Sequence, residues 1–197
     1  MVVQPRRRRH DRLHRRGLMA RPARLTAQAL ALAVVVGLLV LLVWRVVHND
    51  NNGVSQALSA GRHPTAPAFD LKRLDGRGTI DLASLRGKKP LVLDFWASWC
   101  VPCIHESKRL EAARKRYGDR VAFIGVDTKD FSDDARHWQR EHGISYPSVH
   151  DGNGKVLAKW GGLPIPKIFF VARSGKVVGE LVVEEDLPRY LRQIAES

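Results

Sequence analysis

The sequence predicts an α/β protein, a three-layer α/β/α sandwich around a mixed sheet, preceded by one membrane-spanning helix. Three observations predict it. An unbroken apolar run over Ala29–Trp44 follows an arginine-rich tail. Two buried-strand patterns, Leu91–Ala97 and Val121–Val126, flank a helical stretch from Val101 to Tyr117 that Gly118 ends. A strand–helix–strand unit of about 35 residues implies parallel pairing through a right-handed crossover. Two later apolar runs, Lys167–Val171 and Val177–Val182, meet through Arg173-Ser174-Gly175-Lys176 as an antiparallel hairpin.

The 197 residues suit one domain plus an appendage. The net charge of +13 is unevenly spread: residues 1–25 hold nine arginines against Asp11, whereas from Asn49 onward 23 Lys and Arg face 19 Asp and Glu. The basicity therefore belongs to the tail, and no nucleic-acid-binding face is expected. Two cysteines are too few for a disulfide scaffold, and no second Cys/His knuckle completes a metal site.

Residues 1–24 read as a basic cytoplasmic tail and 25–47 as a transmembrane helix, a signal anchor in contact with membrane lipid. Twenty helical residues span roughly 30 Å, the depth of a bilayer core. The preceding arginines place the N-terminus in the cytoplasm, and Trp44 with Arg45 would anchor the far interface. A cleaved signal is the alternative, although its nearest small-residue site, Ala57-Leu58-Ser59-Ala60, lies well beyond the apolar run. Residues 48–66, rich in Asn, Gly, Ser, Ala and Pro, read as a flexible linker, and 67–197 as the folded domain.

Within that domain Phe69–Leu71 and Thr79–Leu82 flank Asp75-Gly76-Arg77-Gly78 as an N-terminal β-hairpin. A short helical turn over Leu82–Arg86 precedes the first buried strand. After the second, Ser132 is expected to cap an inserted helix through His142. Tyr146–His150 reads as extended, Val156–Trp160 as a helical turn or two, and Glu184–Glu196 as the last helix.

Cys100 and Cys103 are the only cysteines, spaced Cys-x-x-Cys where the strand Leu91–Ala97 meets its helix. A pair so placed can close a ring, open it again and pass electrons to another disulfide, so the domain reads as a thiol-disulfide exchanger. Outside the cytoplasm such a pair would work where disulfides persist.

The chain resembles the thioredoxin superfamily, and within it the membrane-tethered TlpA/ResA/CcmG (DsbE-like) oxidoreductases. The likeness covers Pro67–Ala195 and rests on Phe-Trp-Ala-Ser-Trp-Cys-Val-Pro-Cys at 95–103, Glu106, the insert between Asp127 and Tyr146, and Gly162-Leu163-Pro164-Ile165-Pro166-Lys167-Ile168-Phe169-Phe170-Val171. Lys108 stands where that group commonly has Pro, Lys167 where it often has Thr, and Asp94 where it commonly has Asn. The resemblance implies a thioredoxin-like fold and no cofactor or metal.

On this footing the residues take roles. Cys100, at the helix N-terminus, is the nucleophile, its thiolate favoured by the helix dipole and free N–H groups. Cys103 is the resolving thiol that attacks the mixed disulfide. Asp94, on the strand beneath, is the candidate base for the Cys103 proton. Glu106 either serves as a base like Asp94, tunes the thiols, or is an ordinary solvated helix residue. Pro166 is assigned as the cis-proline facing the cysteines, with Pro164 the competitor, and Ile165 would offer its backbone to a substrate strand. Trp99, Val101 and Pro102 complete the substrate-binding set, Trp99 either shielding the active edge or packing in the core. Lys167 would stabilise the Cys100 thiolate or stand solvated.

The implied function is extracytoplasmic thiol-disulfide exchange, as a reductant in cytochrome c maturation. Its partners would be protein thiols and disulfides, apocytochrome c or secreted proteins among them, and a membrane electron donor of thiol-carrier type. A disulfide-forming oxidase and a thiol peroxidase of antioxidant type are the alternatives.

Overall fold

The apolar runs of the C-terminal part assemble into one five-stranded sheet, ordered β5-β4-β3-β6-β7. The strands are β3 (Leu91–Trp96), β4 (Ala122–Thr128), β5 (Ser148–Asp151), β6 (Lys167–Val171) and β7 (Val177–Glu180). A two-stranded hairpin, β1 (Asp70–Lys72) and β2 (Thr79–Asp81), precedes them. The computed structural model describes residues 20–47, 53–181 and 186–196. The chain divides into two units, Met1–Asp50 and Asn51–Ser197.

In the first unit α1 (Ala20–Val47) contains a stretch, Thr26–Trp44, of mean hydropathy 2.6 with none of it buried inside the protein. A helix apolar on every face and left uncovered needs an apolar surrounding. The tail over 1–19, and the side chains of Arg21, Arg24 and Arg45, lie outside the described residues.

In the second unit β3, β4 and β5 run parallel, while β6 pairs antiparallel with β3 and β7 with β6. Between them come α3 (Val101–Tyr117), α4 (Ser132–Glu141) and α5 (Lys155–Trp160), and α6 (Leu187–Ala195) closes the chain. All six residues of β3 are buried. A strand covered on both faces needs a continuous apolar run, and Leu91–Trp96 supplies it except at Asp94. Side-chain alternation divides the core. Val92 and Trp96 join Cys103, Leu110, Trp138 and Leu191 of α3, α4 and α6. Leu91, Leu93 and Phe95 join Leu157 and Trp160 on the other face. Helices on both faces make this a thioredoxin-like three-layer sandwich.

Three expectations are corrected. The stretch 53–66 is part of the fold: α2 (Val54–Ser59) buries Val54 and Ala57, and Ser55 Oγ donates to the Trp160 carbonyl at 3.0 Å. Val54 and Ala57 lie one turn apart on a single face, and six residues are too few to display a period. A Cβ on Gly53 would stand 2.9 Å from Gly161, so α2 enters the domain by a backbone approach that only glycine permits. Residues 48–52 of the expected linker lie outside the described residues. Secondly, Ser132 is the first helical residue of α4 and not its cap, a position that Phe131 holds with no side-chain bond. Thirdly, β7 stops at Glu180 and α6 starts at Leu187, while the expected ends at Val182 and Glu184 lie outside the described residues.

Candidate active site

Strand β3 ends at Trp96, and four residues later Cys100 occupies the N-cap of α3. Cys103, in the first turn, is joined to Cys100 by a disulfide with the Cα atoms 5.4 Å apart. Pro102 sits in that turn, where its missing N–H leaves no intrahelical bond unmade. Cys103 is fully buried and Cys100 nearly so, while both neighbours of Cys100, Trp99 and Val101, are exposed. Cys100 therefore lies at the surface end of the pair and Cys103 at its buried end.

The loop before Cys100 is tied to the loop after β4. Asp130 accepts the Ser98 N–H at 2.5 Å and the Ser98 hydroxyl at 3.0 Å, and also the Phe131 N–H at 2.8 Å. Trp99 Nε1 donates to the Lys129 carbonyl at 3.0 Å, so its ring stands at the surface and not in the core. Among the described residues of this unit, the large apolar side chains left exposed are Trp99, Val101, Phe131 and Leu163. Trp99 and Val101 flank Cys100 in sequence, Phe131 is tied to the same loop through Asp130, and Leu163 begins the proline loop. Phe131 and Leu163 escaped the sequence reading because an exposed apolar residue cannot be told from a buried one by type alone.

The Leu163–Pro164 and Ile165–Pro166 peptide bonds are both cis, so both proline candidates share that geometry. Lys167 pairs with Phe95 across β3 and β6, which places Pro166 and Ile165 at the strand end that feeds Cys100. The ammonium of Lys167 lies 2.8 Å from Glu180 and 3.4 Å from Ser55 Oγ. It is thus engaged by a carboxylate and its side chain is only 14% exposed, whereas a solvated lysine or a partner of the thiolate is expected from sequence.

On β3, which leads into the disulfide loop, Asp94 is 1% exposed. Its Oδ2 accepts the Tyr146 hydroxyl at 2.7 Å and the Ser107 hydroxyl at 3.2 Å, and Oδ1 has no hydrogen-bond partner among the described residues. Burial pushes the Asp94 carboxyl up to about 7; Tyr146 and Ser107 oppose that rise, and the charge of Glu106 adds to it. Burial likewise holds the Tyr146 hydroxyl well above its ordinary value, with Asp94 adding to the rise. Glu106 is buried on α3, with Arg109 Nη1 3.3 Å from its Oε1, and so is not a solvated helix residue. Ser107 and Tyr146 were missed from sequence because their link to Asp94 spans 13 and 52 positions.

A second buried acid lies nearby. Asp127 pairs with Trp96 across β3 and β4, and its Oδ2 is 2.6 Å from His150 Nδ1. Burial, then the charges of Asp130 and Asp151, push its carboxyl up to about 9. Among the described residues no three His, Cys, Asp or Glu side chains converge to hold a metal ion.

Comparison with known proteins agrees with this geometry. The AhpC/TSA family matches residues 63–179. The thiol-disulfide oxidoreductase ResA of Bacillus thuringiensis (strain Al Hakam) is 30% identical over 133 residues, which are 66% of this chain and 76% of that protein. The thiol:disulfide interchange protein HelX of Rhodobacter capsulatus is 32% identical over 150 residues, covering 76% of this chain and 82% of HelX. Among solved structures, a thiol:disulfide interchange protein of the thioredoxin family from Chlorobium tepidum TLS superposes with a TM-score of 0.60 at 26% identity. That match covers 68% of this chain and 97% of the other.

Proposed function

The chain belongs to the AhpC/TSA family, and we propose that within it this thiol-disulfide oxidoreductase is a membrane-anchored, extracytoplasmic reductant of protein disulfides. In the forward reaction the Cys100 thiolate attacks a partner disulfide, forming a mixed disulfide and releasing the first partner thiolate. Cys103 then gives its proton to Asp94 and attacks Cys100 Sγ, which closes the Cys100–Cys103 disulfide and releases the second thiolate. The partner gains two electrons and the enzyme loses them. A membrane thiol carrier would return them by the same exchange run backwards.

The observation that carries the reductant reading is the charge around the pair. Strong oxidants of this chemistry owe their potential to a stabilised thiolate. Here the strand and helix that carry the pair bury two acids, Asp94 and Glu106, with Arg109 3.3 Å from Glu106, and the ammonium of Lys167 is taken by Glu180. A negative surrounding disfavours thiolate and favours the disulfide, and so lowers the potential. Equilibration of residues 51–197 with thiol redox buffers tests this. A value near the roughly −270 mV of thioredoxin is expected, and one near the roughly −120 mV of a disulfide-forming oxidase would overturn the reading.

The likeness to the ResA and CcmG group supports apocytochrome c as the partner, held through the Trp99, Val101 and Pro102 edge and the Ile165–Pro166 loop. Arginines before an apolar helix support an N-terminus inside and a redox domain outside. Proteolysis of intact spheroplasts should digest the domain and spare α1; protection of the domain would refute that orientation. Peroxide turnover by the purified chain, in place of disulfide reduction, would favour the peroxidase alternative.

A further inference from the structure

Both hydrogen bonds that reach Asp94 fall on one oxygen. Ser107 donates to Oδ2 from α3 and Tyr146 from the segment before β5, while Oδ1 is buried with no hydrogen-bond partner among the described residues. Ser107 lies four residues after Cys103, hence one turn along the same helix face, and both are fully buried. The carboxylate is therefore pinned to α3 one turn beyond Cys103, with one oxygen committed and one open.

Tyr146 is itself held at both ends. Its carbonyl accepts Gln139 Nε2 of α4 at 3.2 Å. Its predecessor Ser145 gives its N–H and hydroxyl to Glu111 of α3, at 2.9 and 2.8 Å. Glu111 is buried, yet Arg114 and Ser145 together hold its carboxyl below the ordinary value, so it stays an acceptor. The two helices over this face of the sheet thus deliver the phenol to Asp94.

We propose that Tyr146, seconded by Ser107, is a positioning residue for proton transfer: it engages Asp94 Oδ2 and leaves Oδ1 to take the Cys103 proton. This rests on the reading of Asp94 as the base. In the step concerned the S–H bond of Cys103 breaks and an O–H bond forms at Oδ1. The freed sulfur pair forms the S–S bond to Cys100, the Cys100–partner bond breaks, and the departing thiolate later takes the proton. The charged and titratable groups bearing on the Asp94–Tyr146 pair are Glu106 and Glu111, both from α3.

The hydroxyl steadies the carboxylate more than the acid, so its removal should raise the proton affinity of Asp94. The test uses the full chain in detergent, as parent, Tyr146→Phe and Asp94→Asn. Two quantities are read: the Asp94 carboxyl titration by carbon-13 NMR, and the pH profile of single-turnover reduction of a peptide disulfide. In Tyr146→Phe the titration should move above about 7 and the rate inflection should move with it, with KM unchanged. A rise of one pH unit leaves about a fivefold loss at pH 7 that vanishes at high pH, since the base fraction falls from a half to a tenth. Asp94→Asn should abolish the inflection. If Tyr146→Phe leaves the Asp94 titration in place, Tyr146 is only structural and the proposal fails. If the titration moves while the rate profile stays fixed in both variants, the base reading itself fails. Should Tyr146→Phe not fold, Ser107→Ala carries the same test, with a smaller move in the same direction.

Discussion

Replacing Asp94 by Asn should change how stability depends on pH. The carboxyl titrates at 3.8 when exposed and is raised to about 7 in the fold, chiefly by burial. Between these values the unfolded chain has lost the proton and the folded chain still holds it. The acid form therefore contributes full stability below about pH 4, and that contribution is lost as pH climbs to 7. At 1.36 kcal/mol per pKa unit the loss is about 4 kcal/mol, an upper figure for a site whose neighbours can relax. Asn cannot ionise and escapes it. Its buried amide N–H groups cost about 1–3 kcal/mol, but at every pH alike. The slope from Asp127, raised to about 9, is common to both proteins and cancels in the difference. Guanidinium unfolding of oxidised residues 51–197, followed by the buried tryptophans at pH 4, 6 and 8, reads the difference directly. The variant should gain on the parent by several kcal/mol from pH 4 to 8. A flat difference, or one of opposite sign, would refute the burial argument.

Val54→Asp places a charge against the Trp160 side of the core and should cost 3 kcal/mol or more, on the order of a buried unpaired charge. Were residues 53–66 a tether, the same denaturation curve would shift by less than about 0.5 kcal/mol. Phe131→Ser removes an exposed ring from the loop whose Lys129 carbonyl accepts Trp99 Nε1, and KM for a peptide with an apolar residue next to its cysteine should rise about three- to tenfold. Turnover of a small disulfide such as oxidised glutathione should not change; an equal loss with both would point to damage of the loop. Cys103→Ser should accumulate a Cys100–partner adduct on non-reducing gels and Cys100→Ser should not, the reverse pattern exchanging their roles.

The placement of the two cysteines was legible in the sequence because it is local. A buried strand, two cysteines three apart and a helix start fall within one stretch, and helix geometry sets them at the mouth of α3. The sheet was legible for a related reason, since runs such as Leu91–Trp96 and Lys167–Val171 announce strands covered on both faces. The helix α2 was not, because its two buried residues gain meaning only against Trp160, a hundred positions away. Lys167 reads as a free cation until Glu180 is seen beside it.

Sequence alone thus determined that this chain carries a dithiol at a helix N-terminus behind a lipid-length apolar helix. Short-range periodicity and spacing encode both. Only the tertiary structure decided which groups surround the sulfurs: Tyr146 and Ser107 on one oxygen of Asp94, Asp130 tying the Cys100 loop to the Phe131 loop. Those contacts join segments far apart in the chain, and burial, which sets the proton affinity of Asp94, arises only when the layers close over it.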